Sequence, residues 1–110
     1  MKLPNAEQAI VVIAKLRDYS LDAKHEEGRH KARVFAAALG IGRDDTDWLR
    51  GKLLEAALHC KCVRGRNTPF GQRYVLDFSL AKGPQEARVR SVWNVRPAET
   101  VPRLITCYVL

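Results

Sequence analysis

Apolar residues recur along this chain first at helical and then at strand spacing, with the change of period near Cys60. Upstream, Ala32, Phe35, Ala36 and Leu39 share one face of a 3.6-residue repeat that begins at Arg29 and is stopped by Gly40 and Gly42. Trp48, Leu49, Leu53, Ala56, Ala57 and Cys60 form a second stripe. Its start lies in "RDDTD", where Asp45 or Thr46 suits a cap and the carboxylates suit a helix N-terminus. Ahead of both, "AEQAIVVIAKLRDYSL" mixes helical spacing at Ala9, Val12, Ile13 and Leu16 with a β-branched run. It reads as a short strand or extended lead-in, then a helical turn around "IAKLRDYSL", then a polar loop ending at Gly28.

After Cys60 the period becomes two. "KCVRG" reads as a short strand, and "RNTPFGQ", "AKGPQE" and "RPAETVP" as the turns between strands. Tyr74, Leu76 and Phe78 alternate with Arg73, Val75 and Asp77. Val89, Ser91, Trp93 and Val95 alternate with Arg88, Arg90, Val92 and Asn94. Strict alternation then puts Leu104, Thr106 and Tyr108 on one face of the last strand, and Arg103, Ile105, Cys107 and Val109 on the other. Helices followed by strands predict an α+β fold: N-terminal helices on one face of a four-stranded antiparallel sheet, an ααββββ meander. The 110 residues, 46% of them hydrophobic, suit a single domain over 1–110 with one core.

Charge narrows the function. Nineteen Lys and Arg stand against twelve Asp and Glu, a net +7, which favours a polyanionic partner, chiefly nucleic acid. No apolar run is long enough for a membrane span, and "MKLPNAEQ" lacks the features of a signal peptide, so the expected location is cytoplasmic with no membrane partner. The three cysteines give no disulfide framework. His59, Cys60 and Cys62 lack the second ligand pair of a zinc site and read better as a helix end with small buried thiols. "DDTD" at 44–47 reads as a helix cap in preference to a magnesium site, and Trp48 as core in preference to a base-stacking surface. With no Walker loop, nucleophile elbow or dinucleotide fingerprint, neither a metal nor a small-molecule cofactor is expected.

The stretch "GRHKARVF" crowds Arg29, His30, Lys31 and Arg33 into the start of a core helix. Cations there oppose the macrodipole unless an anion visits. Arg88 and Arg90 point the same way from one strand about 7 Å apart, Arg103 opens the neighbouring strand, and Arg64, Arg66 and Arg73 surround the first hairpin. RNA cleavage without a metal needs a base, an acid and cations on the scissile phosphate. His30, Lys31, Arg90 and Arg103, with Thr106 or Tyr108 as hydroxyl donors, are the candidate catalytic set. Arg29, Arg33, Arg73 and Arg88 are the candidate nucleic-acid contacts, and His25 and His59 receive no role.

"GRHKARVFAAALG", "TPFGQRYVLDFSL", "VRSVWNVRP" and "VPRLITCYV" together resemble a small bacterial domain family of unassigned function. Its pattern is G-x-HKA-x-x-F, YG-x-x-Y, R-T-x-W and PRL-x-T-x-Y-P. The resemblance is collinear over most of residues 5–109, with Phe70 in place of Tyr, Ser91 in place of Thr, and no terminal Pro. That family is similar in turn to the RelE-type, colicin-type and EndoU-like toxin ribonucleases. The resemblance points to His30, Lys31, Arg90, Trp93, Arg103, Thr106 and Tyr108 as site residues. It implies an endoribonuclease toxin of a toxin–antitoxin or polymorphic toxin system, with RNA as substrate and a small acidic antitoxin or immunity protein as partner. The alternative is a non-catalytic basic module that grips RNA or an acidic protein through the same surface.

Overall fold

The computed structural model describes all residues from Met1 to Leu110. A 3-10 turn at Ala6–Gln8 precedes a short helix α1 (Ile13–Lys15), which runs directly into a π-helical turn at Leu16–Ser20. Helices α2 (Arg29–Leu39) and α3 (Thr46–His59) follow, and then strands β1 (Val63–Thr68), β2 (Gly71–Lys82), β3 (Gln85–Val95) and β4 (Pro102–Val109). The strands form one antiparallel sheet in the order β1-β2-β3-β4, the expected meander. The extended lead-in is present too. Ile10 bridges Arg103 in parallel, donating to the Pro102 carbonyl at 2.9 Å and accepting from the Leu104 N–H at 2.9 Å.

Each helix exists because one of its faces leaves water. Ala32, Phe35 and Leu39 of α2 are buried over β3 and β4, and Gly40 ends the helix in the left-handed region. Leu49, Leu53, Ala56 and Ala57 of α3 are buried and pack towards β2 and the N-terminal turns. Ala36, expected on the core stripe, is exposed, since the buried line of α2 runs through Ala32, Phe35 and Leu39 with Ala38 at its flank. Trp48 and Cys60 are only partly covered, and the Lys82 ammonium lies 5.4 Å from the Trp48 ring. The hairpin turns are tighter than the sequence suggests. Pro69–Phe70 and Gly83–Pro84 each close a two-residue loop, so β2 reaches twelve residues.

The helix-facing side of the sheet carries Tyr74, Leu76, Phe78, Val89, Trp93 and Leu104, all under one-tenth exposed. Trp93 is fully buried, and its indole N–H donates to Ser91 Oγ at 2.9 Å. Ser91 in turn donates to the Leu76 carbonyl at 2.8 Å. Burial of that indole contributes about 4–6 kcal/mol at most, and the hydroxyl relay removes the cost of hiding its N–H.

In β4 the expected alternation fails. Val92 pairs with Thr106, but Trp93 pairs with Leu104, so Ile105 is an extra residue in a β-bulge. The bulge resets the period. Arg103, Thr106 and Tyr108 now share the outer face with Asn94, Val92 and Arg90, while Leu104, Cys107 and Val109 face the helices. The apolar Cys107 and Val109 gain the core by this slip, and Cys107 is fully buried.

Candidate functional site

The first element of the site is a close approach of backbones. A Cβ on Gly28 would lie 2.1 Å from the Tyr19 carbonyl oxygen, so only glycine lets the start of α2 press against the π-helical turn. That turn is closed by the Leu21 N–H donating to the Leu16 carbonyl at 2.8 Å, and its extra residue per turn re-aims Tyr19. His25 pins the connecting loop. Its Nδ1 accepts from the Glu27 N–H at 3.0 Å and the Gly28 N–H at 2.9 Å, and its ring meets the Tyr19 ring edge-on at 4.9 Å.

Lys31 projects from the first turn of α2 into this frame. Its ammonium donates to Tyr19 Oη at 3.1 Å and to Thr106 Oγ1 at 3.1 Å. It sits 4.6 Å from the centre of the Tyr19 ring and 5.9 Å from that of Tyr108. Lys31 is half-buried and takes part in none of the ion pairs of the protein. A cation in such a place is normally balanced by a carboxylate. Here two hydroxyls and an aromatic face do the holding, and one of the three ammonium N–H groups remains unassigned.

Arg90 lies in the same cross-strand row as Tyr108 and Asp77, under the opposite condition. It grips Asp77 with two bonds, Nε to Oδ1 at 2.8 Å and Nη2 to Oδ2 at 2.9 Å. The Arg90 bond holds the Asp77 carboxyl below the usual carboxylate range against the opposing effect of burial, and Asp77, followed by the Tyr108 hydroxyl, raises the guanidinium.

His30, Lys31, Val34, Tyr108 and Val109 line a shallow cleft of about 270 Å³ at the outer edge of the sheet. His30 is exposed and Arg29 and Arg33 stand exposed beside it. His30, Lys31, Thr106, Tyr108 and Arg90 are therefore neighbours in space. Arg103 shares the sheet face of Thr106, Tyr108 and Arg90 but not the Arg90 row, and only Thr106, about 7 Å along the strands, is near it. It lies in the row of Asn94 and Arg73, about 13 Å along the strands from the Arg90 row. Arg103 reaches Glu99 at 3.4 Å and lines a different cleft with Ile10, Val12 and Lys15. Arg88 donates to Ser79 Oγ at 3.2 Å. Trp93, named by the resemblance, is sealed inside the core, where its interactions are structural.

The family model for "Domain of unknown function (DUF6883)" matches residues 2–110. The chain belongs to that family. No curated protein matches it. At this level the resemblance drawn from the motifs, to a family of unassigned function, agrees with the match. In this DUF6883 domain the side chain missed by sequence reasoning is Tyr19. It belongs to no motif, and only Gly28, a glycine preceding a helix that needed no turn, hinted at a close neighbour. The two buried thiols offer no nucleophile here. Burial pushes the Cys107 thiol up to about 12 and raises that of Cys62. No three His, Cys, Asp or Glu side chains converge as a metal-holding group, and no helix is long and apolar enough to cross a membrane.

Proposed function

We propose that this domain is a metal-independent endoribonuclease, acting as the toxin of a toxin–antitoxin or polymorphic toxin system. The observation that carries the reading is the Lys31 ammonium, half-buried, held by Tyr19 and Thr106, and left without a carboxylate. A pocketed cation without a counter-ion is suited to an anion that arrives from outside, and the cleft beside it holds a titratable imidazole and a phenol. In the proposed step His30 takes the proton of the ribose 2′-hydroxyl and the 2′-oxygen attacks phosphorus. The bond from phosphorus to the 5′-oxygen breaks, that oxygen takes a proton from water, and His30 returns its proton to the solvent, leaving a 2′,3′-cyclic phosphate. Lys31 donates its remaining N–H to a non-bridging oxygen as charge builds there. Tyr108 and Thr106 orient the ribose, and Arg90, fixed by Asp77, positions Tyr108 in the row beside it. Arg29 and Arg33 guide the strand into the cleft. Arg73, Arg88 and Arg103 guide RNA across the outer face, a role that fits Arg103 better than contact with the reacting phosphate. A small acidic antitoxin or immunity protein would neutralise the same surface.

The test is incubation of total RNA and tRNA with the protein in EDTA. Wild type should cut, and Lys31→Ala and His30→Ala should not, with circular dichroism and urea midpoints preserved. Intact RNA with wild type, in chelator and in magnesium alike, overturns the reading. One observation favours a second reading, RNA binding without cleavage: the exposed His30 imidazole shares in no side-chain hydrogen bond that would orient it as a base. That reading expects salt-sensitive binding without products and no effect of His30→Ala.

A further inference from the structure

The opposite edge of the sheet carries a second feature that the cleft does not use. Strand β1 is exposed along nearly its whole length, and the turn joining it to β2 holds Phe70 out in solvent at 77% exposure. That is the highest value among the large apolar side chains of the protein. Along this stretch of chain the charge has one sign. No Asp or Glu occurs between Glu55 and Asp77, whereas Lys61, Arg64, Arg66 and Arg73 all fall in that interval. None of these four cations takes part in an ion pair. The turn itself is rigid. Asn94 Nδ2 donates to the Phe70 carbonyl at 2.9 Å, and the Phe70 N–H donates to Thr68 Oγ1 at 3.1 Å.

We infer that the β1–β2 hairpin is a binding arm for single-stranded nucleic acid, with an unpaired base stacked on Phe70 and the flanking phosphates held by Arg64 and Arg66. An aromatic ring on a rigid turn can stack any base without asking for sequence, and free arginines beside it track a backbone. Duplex offers no unstacked base to the ring, which is why the single strand is the committed occupant. The arm deepens the ribonuclease reading by naming the substrate as an unpaired segment, and it rests on that reading for the identity of its polyanion. It stands two to three strand spacings across the sheet and at least about 13 Å along the strands from the cleft, so on the order of 20 Å away. A dinucleotide is therefore too short to occupy both.

The experiment measures binding of a 2′-deoxy single-stranded oligonucleotide, which cannot be cleaved, alongside cleavage of a ribodinucleotide in EDTA. Phe70→Ala should weaken oligonucleotide binding about tenfold, Phe70→Trp should restore it, and the dinucleotide should be cut equally by all three proteins. Arg64→Ala with Arg66→Ala should flatten the salt dependence of log Kd by about 1.4. Oligonucleotide affinity unchanged in Phe70→Ala overturns the arm alone and leaves the ribonuclease reading intact. Phe70-dependent binding with no cleavage of any RNA supports the arm and removes the ribonuclease. Equal Phe70 dependence for a duplex or for polyglutamate overturns the arm in favour of a general polyanion or acidic-protein surface.

Discussion

The cleft at the outer edge of β4 and the outer face of the sheet both present a cation to Tyr108, yet they balance it in opposite ways. Arg90 is neutralised by a two-pronged carboxylate from the adjacent strand. Lys31, 4.6 Å from the centre of an aromatic ring, has only hydroxyl oxygens. A paired guanidinium on a sheet surface knits two strands together and positions its neighbours. An unpaired ammonium in a pocket keeps its field for something else. A count of basic residues treats the two alike. Their partners separate them.

The largest effect should come from removing the frame that holds Lys31. Gly28→Ala drives a methyl into the Tyr19 carbonyl, and should cost on the order of 3 kcal/mol in urea denaturation while abolishing RNA cleavage. Next, Lys31→Met keeps the aliphatic stem but removes the charge. Cleavage should fall at least about 100-fold, while the urea midpoint stays level or rises, because no carboxylate loses its partner. Arg90→Met should invert that pattern, lowering the urea midpoint by stranding Asp77 and reducing cleavage less than Lys31→Met does. Ser91→Ala leaves the Trp93 N–H unpaired in the core and should cost about 1–2 kcal/mol without changing cleavage, which separates a structural Trp93 from a catalytic one.

The smallest effect is the pH dependence of the Asp77–Arg90 pair. The Asp77 carboxyl titrates lower folded than unfolded, so its contribution is complete above the unfolded value of about 4 and is lost as pH falls through the folded one. The difference in urea midpoint between wild type and Asp77→Asn should therefore be greatest near neutrality and close as pH falls below about 4. A difference that grows in acid would mean that the carboxylate does not hold Arg90.

Period alone was enough to read the order of elements, the α+β class and the face of β3 that carries Arg88 and Arg90, because the burial of Val89, Ser91 and Trp93 imposes a strict alternation there. The site was legible only in part. His30 and Lys31 stood out as cations placed against a helix dipole, and Arg90 as one of a pair. Tyr19 was invisible, since a π-helical turn leaves no mark in a pattern of apolar spacings. Alternation alone sets Thr106 and Tyr108 on the opposite face from Arg103, since an inserted residue in a strand looks like any other until its partner strand is known. Adjacency of strands groups Arg103 with Arg90, and distance along a strand is the quantity such grouping omits.

The extra residue at Ile105 makes chain length as much a determinant of the site as chemistry. Excising that one isoleucine would roll the C-terminal half of β4 over, turning the threonine and tyrosine hydroxyls inward and the cysteine and valine outward. No side chain of the cleft would have been altered, and Lys31 would nonetheless face a strand with nothing to offer it.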